Sequence, residues 1–429
     1  MEKFEVIIVG GGLAGLAAAY TLANEGIEAL VIERGDYPGS KNVTGGRIYL
    51  NPVRQYFPEG FFEKAPLERP VTSEVFTMMA EDSSTSLRFR CGSWAEPPHQ
   101  SYTILRGKFD RWLGERAAAA GAMMVTKNRV DDLVWDEGKV AGVTAGGEIL
   151  GAEVVLACDG ALSLVAEKAK LRKPGRPKDY AVGFKEVIEL PRQKIEDRFN
   201  LAEGEGAAQF FMGSLTGGRF GGGFLYTNQE SLSLGMVVGI GDLMEKQPFT
   251  EAPRLLEEFK RRPEVAALIQ GGELVEYSAH VIPEAGYEGL TRVYGDRLLV
   301  AGDAAGFALN LGVTVRGMEF ALASGVIAAR AVKQAFEKKD FSVGSLSKYG
   351  QLLKESFVLK DMETFRAAPE VLDNPRFFNH YPQLMGKILQ DLLTIGDGPK
   401  EKLSSTVLSH LGVGEFAGIV KDLWKGREM

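Results

Sequence analysis

The chain of 429 residues is 45% hydrophobic and 25% charged, with a net charge of −7. A length of that order allows two or three lobes at about 150 residues per domain, and the ordinary composition excludes disordered and fibrous classes. The acidic balance offers no field for a phosphate backbone, so nucleic acid is not an expected partner. Two cysteines, Cys91 and Cys158, lie far apart with no CxxC spacing. A disulfide framework or structural zinc site is therefore not expected, and an iron–sulfur cubane, which takes about four thiolates, would have to be supplied by another polypeptide. Glu2 and Glu5 precede a glycine turn where a secretory signal would carry basic charge, so a cytoplasmic location is expected. No run of about 20 apolar residues escapes charge or glycine clusters, which leaves only peripheral contact with the inner face of a membrane.

In chain order, Phe4 to Val9 is a short apolar run, Gly10 to Gly15 a turn, Leu16 to Asn24 an Ala-rich helix and Ala29 to Glu33 a second strand. That is one βαβ unit. A glycine-rich loop, Gly35 to Gly46, leads to a Pro-punctuated stretch, Pro52 to Pro70, read as the way out of the first domain. Strands are predicted at Glu74 to Met79 and Ser86 to Arg90, before a loop at Trp94 to Gln100. From Tyr102 the pattern turns helical, with Phe109, Trp112, Leu113 and Ala117 on one face. Strands follow at Ala122 to Thr126, Leu133 to Trp135, Val140 to Thr144 and Glu153 to Ala157, the last ending at Cys158-Asp159-Gly160. The basic, Pro-containing stretch Lys168 to Lys178 reads as a linker into a lobe rich in strand signals from Tyr180 to Ile240, followed by a short helix, Ala252 to Lys260. A strand at Arg297 to Ala301, a long helix at Met318 to Glu337 and largely helical sequence from Leu346 complete the chain.

The turn Gly10-Gly11-Gly12-Leu13-Ala14-Gly15 matches GxGxxG and stands between a strand and a helix, the context that gives the pattern its meaning. Gly10 permits the tight turn, Gly12 lets backbone approach a pyrophosphate, Gly15 allows close helix–strand packing, and the helix N-terminus attracts the phosphates. Glu33, with Arg34 beside it, ends the second strand 18 residues after Gly15, where a carboxylate can accept hydrogen bonds from the adenosine ribose. A second glycine–aspartate turn, Gly302-Asp303, precedes the loop Phe307 to Gly317, which contains Gly312 and Val313, and the Ala-rich helix beyond it. A carboxylate for ribityl hydroxyls and a helix N-terminus facing the pyrimidine end of a flavin argue for FAD rather than NAD.

The pairing of these two turns resembles the flavoproteins that include aromatic-ring hydroxylases, geranylgeranyl reductases and electron transfer flavoprotein dehydrogenases. Within that group the run Glu276 to Gly286, the stretch Gly302 to Phe307, Gly312 to Met318 and Ala323-Ser324-Gly325 resemble the electron transfer flavoprotein–quinone oxidoreductase family. The likeness spans nearly the whole chain, from Gly39-Ser40-Lys41-Asn42 and Gly45-Gly46 to Tyr381-Pro382. It implies electrons received from an electron transfer flavoprotein and passed to quinone, with a ferredoxin-like iron–sulfur subunit as companion. Larger members carry a cysteine-rich C-terminal cluster domain; this sequence has no cysteine after Cys158, which suits the branch whose cluster lies on a separate subunit. The resemblance also implies site roles. Arg106 would reach the FAD phosphate or ribityl region, Val130 would offer backbone to the adenine, and Lys41, Asn42, Gly45 and Gly46 would line the isoalloxazine. Cys158-Asp159-Gly160 would form the second turn beneath the adenine half, with Cys158 itself simply buried. His280 is a candidate hydrogen-bond or proton donor near flavin or quinone.

The expected fold is α/β: a Rossmann-like FAD-binding domain of the glutathione-reductase-like, hydroxylase type, interrupted by a β-rich lobe and followed by a helical C-terminal region. The expected boundaries are 1–73, 101–168 and 290–345 for the FAD domain, 74–100 and 169–289 for the β-rich substrate lobe, and 346–429 for the helical region. Phe416 to Trp424 has the pattern of an amphipathic helix for a membrane surface, a partner or the core. Three alternatives share the FAD frame: a geranylgeranyl reductase-like enzyme, a monooxygenase using NAD(P)H and oxygen, and a scaffold subunit active only within an assembly.

Overall fold

The computed structural model describes residues 2–41, 46–427 and 429. Asn42 and Gly45, two of the expected flavin-lining residues, lie outside the described residues.

The opening strand, Glu2–Val9, carries Val6, Ile7 and Ile8, all fully buried. An unbroken apolar run of this kind is what a strand covered on both faces requires. It pairs in parallel with Ala29–Ile32 on one side and Glu148–Ala157 on the other. Met123–Val125 and Leu298–Val300 extend the parallel sheet outward. A hairpin, Val130–Asp136 and Lys139–Ala145, joins it through Glu148–Ala157, and Tyr294–Gly295 brings the sheet to eight strands among the described residues. Leu13–Asn24 covers one face and is nearly all apolar. The 21-residue helix Met318–Lys338 lies against it, at a contact so close that a Cβ on Gly325 would stand 2.1 Å from the carbonyl oxygen of Ala14.

The second sheet has nine strands among the described residues, running Glu273–Pro283, Tyr180–Glu189, Ser231–Gly239, Gly221–Thr227, Gly206–Gly213, Leu67–Met79, Ser101–Ile104 and Arg47–Tyr49, with Ser84–Arg90 paired to Leu67–Met79. Ile195 and Phe199 from one helix, Leu255, Leu256 and Phe259 from Ala252–Arg261 and Val265 from Pro263–Ile269 pack on one of its faces.

Three expectations need correction. Arg47–Tyr49, Ser101–Ile104 and the start of Leu67–Met79 pair in the second sheet, although the expected boundaries placed them in the FAD domain. Their side chains explain the misreading: Ile48 and Ile104 belong to the core of the first lobe while their backbones extend the sheet of the second. Residues 102–104 are accordingly strand, and the helix is Arg106–Ala119. The Pro-punctuated stretch does not lead out of the first domain, because Phe57, Phe61 and Phe62 stack on one another and on Tyr20 and Trp112. The C-terminal region is helical as expected, and its first helices pack onto the first lobe. Leu346, Tyr349, Leu353, Val358 and Met362 are buried in the first lobe's core, and the Tyr349 hydroxyl donates to the Val300 carbonyl at 3.1 Å.

Of the remaining C-terminal helices, His380–Leu393 lies against the second sheet, Leu403–His410 against His380–Leu393, and Val413–Gly426 against the short helix Ala368–Leu372. Arg376 ties the last of them down through Glu415 and Asp422, and Tyr381 also reaches Asp422. Among the described residues no single helix is long and apolar enough to cross a membrane.

Candidate functional site

The glycine turn sits at the carboxyl edge of the parallel sheet, where α/β folds bind their ligands. Gly10 holds φ +104°, and a Cβ there would lie 2.4 Å from the Cys158 carbonyl oxygen. A Cβ on Gly15 would lie 2.1 Å from the Gly10 carbonyl oxygen, so only glycine lets the helix start flush against the strand. Gly12 differs: a Cβ would meet nothing within 4 Å. The helix begins there with no side-chain cap and no acidic residue in its first turn. Its first-turn N–H groups and dipole border a cavity uncompensated, which is the donor set a pyrophosphate fits.

Glu33 is buried, and both its oxygens hold the turn: Oε2 accepts from Gly11 N at 2.7 Å and Oε1 from Gly35 N at 2.6 Å. The carboxylate thus sets the shape of the loop as well as bordering the cavity. Asp159 is likewise committed locally, accepting from the Ser163 hydroxyl at 2.8 Å and Val165 N at 3.1 Å. Burial pushes the Cys158 thiol far above its usual range, which keeps it a neutral packing group.

One cavity of about 1520 Å³ unites almost every expected residue. Gly10, Gly12, Leu13, Ala14, Glu33, Arg34, Lys41, Gly46, Arg106, Val130, Cys158, Asp159, Gly160, His280, Gly302, Asp303, Gly312 and Val313 all border it, and Gly15 sits behind the turn. Arg106 opens its helix and makes a bidentate pair with Asp110, at 2.7 Å for both contacts, in buried surroundings. Burial raises the Asp303 carboxyl, and the Arg106 charge pulls the other way. Gly302 has φ +66° and donates its N–H to the Ser324 hydroxyl at 3.0 Å. Gly46 borders the cavity, and the space its side chain would take is filled by Tyr226, whose Cδ2 would lie 2.1 Å from a Cβ.

His280 lies in the edge strand Glu273–Pro283, paired opposite Gly183. Burial, with the Arg106 and Arg34 charges, lowers its pKa to about 4. It is a neutral imidazole near pH 7, able to donate a hydrogen bond but a weak source of a proton.

The sequence reading missed the far end of the cavity. The second sheet presents an aromatic wall, Phe76, Phe210, Phe224 and Tyr226, with Phe76 and Phe210 stacked at 5.9 Å and Phe224 and Tyr226 at 5.2 Å. Phe224 and Tyr226 lie two apart on one strand, a spacing that could have announced a shared face. Beyond the wall the lining passes to Phe377, Leu384, Ile388, Ile419 and Leu423 of the C-terminal region. Leu423 is also 69% exposed, so the apolar mouth of the cavity continues onto an apolar outer surface with Phe416, Val420 and Trp424. Glu284 and Asn310 were also missed; both line the cavity, and Glu284 is the carboxylate that follows the apolar run 281–283.

Residues 3–203 match the model of an FAD binding domain. Residues 180–282 match the ubiquinone-binding domain of electron transfer flavoprotein–quinone oxidoreductase (ETF-QO), and residues 368–429 match the ETF-QO/FixC family C-terminal domain. The chain is 48% identical to protein FixC of Escherichia coli K12, over 99% of this chain and 98% of that protein. The chain belongs to the ETF-QO/FixC family. FixC of Azorhizobium caulinodans is 40% identical, and YdiS of Escherichia coli K12, described as a probable electron transfer flavoprotein-quinone oxidoreductase, is 44% identical, each over 99% of this chain and 98% of the other. Among solved structures, a geranylgeranyl bacteriochlorophyll reductase-like protein from Thermoplasma acidophilum aligns with a TM-score of 0.73 at 21% identity, over 99% of both chains. PqsL of Pseudomonas aeruginosa, a probable FAD-dependent monooxygenase, aligns at 0.61 with 17% identity, over 88% of this chain and 98% of the other. These structures share the fold. Family membership and the FAD domain make the chain an FAD-dependent oxidoreductase.

Proposed function

We propose that the chain takes electrons from an electron transfer flavoprotein and delivers them to a quinone, with the iron–sulfur carrier on a separate ferredoxin-like subunit. The observation that carries this reading is the continuity of one cavity from the dinucleotide cradle, past the aromatic wall, to an apolar mouth among the C-terminal helices. Its volume of about 1520 Å³ exceeds the roughly 300–1,000 Å³ of a single-ligand pocket, leaving room for a dinucleotide and a second, apolar molecule. The description of YdiS and the matched ubiquinone-binding domain name the same acceptor class.

FAD supplies redox chemistry in one- or two-electron steps when bound. The chain's residues position it. Gly10 and Gly12 with the first turn of Leu13–Asn24 take the pyrophosphate, Glu33 with Arg34 the adenosine ribose, and Val130 with the 158–160 turn the adenine side. Asp303 and Arg106 hold the ribityl region, and Lys41 with the backbone of Gly312 and Val313 borders the ring. The apolar strip Phe416, Val420, Leu423 and Trp424 lies at i, i+4, i+7 and i+8 of one helix and would rest on a membrane surface, where a lipophilic quinone partitions.

The test is direct. The flavin-loaded chain, reduced with dithionite freed of excess, is mixed with a short-chain ubiquinone analogue and followed by flavin absorbance. Prompt reoxidation with formation of quinol is expected. Rapid aromatic-dependent NADPH oxidation without quinone reduction would overturn the reading in favour of a monooxygenase.

A further inference from the structure

Glu284 stands directly after the edge strand Glu273–Pro283, with its backbone N–H bonded to the Asp179 carbonyl at 2.9 Å. It borders the cavity between the strand that carries His280 and the loop 309–316. Asn310 joins it to that loop. The Asn310 amide donates from Nδ2 to Glu284 Oε2 at 3.4 Å, and Asn310 Oδ1 accepts from Gly312 N at 2.9 Å. Oε1 has no hydrogen-bond partner among the described residues, so a proton on the carboxyl belongs on Oε1.

The charged groups on the surrounding elements are engaged elsewhere. Asp179 pairs with Arg176 at 2.8 Å, Tyr180 with Arg172, Arg316 with Glu319 and Asp361 at 2.6 Å each, Glu370 with Lys425 at 3.2 Å, and Glu288 with Arg366 at 2.6 Å. Lys185 faces Glu276 at 3.9 Å, Asp303 is under the influence of Arg106, and His280 is neutral. Among the described residues no cation offsets the burial of Glu284, which lifts its pKa to about 7 against the pull of the Asn310 hydrogen bond. A carboxyl balanced near neutrality in a ligand cavity has the property a general acid needs.

We propose that Glu284 is the acid of the site, delivering a proton from Oε1 to an oxygen of the bound quinone. The step rests on the quinone reading above. Quinone becomes quinol by gaining two electrons and two protons. FAD, when bound and reduced, would supply both electrons and one proton, while the second proton breaks from Glu284 Oε1 to form the new quinol O–H bond. The carboxylate left behind is reprotonated from solvent.

The experiment compares the full, flavin-loaded chain with Glu284→Gln and Glu284→Asp, each reduced and mixed either with the short-chain ubiquinone analogue or with ferricyanide, an acceptor that takes electrons without protons. The quinone-to-ferricyanide rate ratio falls on the order of 10²-fold in Glu284→Gln and is partly restored in Glu284→Asp. In the wild type that ratio declines as the pH rises past about 7, and in Glu284→Gln it is flat. Infrared difference spectra of the wild type, with no quinone present, show a protonated carboxyl band titrating near neutrality that Glu284→Gln lacks. A wild-type ratio and pH profile in Glu284→Gln, or equal losses with both acceptors, overturns the assignment. A wild-type protein that reduces ferricyanide but not the quinone overturns the quinone reading instead, with the infrared titration separately reporting the state of Glu284.

Discussion

Replacing His280 with glutamine removes a titrating group from the cavity wall and isolates its contribution to stability. In the folded chain its pKa is lowered from 6.5 to about 4, chiefly by burial and secondarily by Arg106 and Arg34. A depressed imidazole pKa means that the unfolded chain binds the proton more readily than the native one between those two values. Stability is therefore full above about pH 6.5 and is lost as pH falls toward 4. A shift of that size caps the loss at about 3 kcal/mol, and water in the cavity screens the two arginines, so about 2 kcal/mol is expected between pH 7 and 4.5. Urea unfolding of wild type and His280→Gln, followed by circular dichroism at several pH values, measures it. The stability difference moves in favour of the variant by that amount on acidification. Parallel pH profiles for the two proteins would refute the reasoning.

Gly12→Val and Gly15→Ala separate cofactor binding from folding. The first places its side chain in open space and yields a folded protein that purifies without flavin, whereas the second drives a methyl group into the Gly10 carbonyl and lowers the melting temperature as well. Asp110→Asn leaves buried Arg106 without its bidentate carboxylate and costs about 3–5 kcal/mol in urea unfolding. Serine at both Leu423 and Trp424 reduces co-sedimentation with anionic vesicles while flavin content stays at the wild-type level.

The opening βαβ unit was legible because glycine spacing, a strand with no polar residue from Val6 to Val9 and an Ala-rich helix all point the same way. The second turn at Gly302 was equally legible, since a strand and a long helix flank it. Residues 47–49 and 101–104 were not. They follow the core of one lobe with their side chains and the sheet of the other with their backbones, and periodicity reports side chains only. The Pro52 to Pro70 stretch misled for a related reason: proline marks a break in hydrogen bonding, not in packing, and Phe57, Phe61 and Phe62 carry the chain back onto the first core. In the site, Glu33 and Asp303 could be found from position after a strand. Glu284 could not, because its distinction is the solvent it loses in three dimensions. The aromatic wall joins Phe76 to Phe210 and the Phe224–Tyr226 pair of a hairpin far downstream, and no local pattern links Phe76 to that hairpin.

The contact between Ala14 and Gly325 has a consequence for the order in which the molecule can be made. The helix that carries the phosphate cradle is synthesised first, yet the helix that seals its outer face arrives some 300 residues later, after the whole second sheet. At ribosomal speeds of about 5–20 residues per second, the apolar helix Leu13–Asn24 waits roughly 15–60 s for its cover. The strand Leu298–Val300 and the turn at Gly302 are made in the same late interval, so the cavity closes around the glycine turn only after the second sheet has been made. The glycine turn, made before either sheet is complete, is thus among the last parts of the cavity to be enclosed.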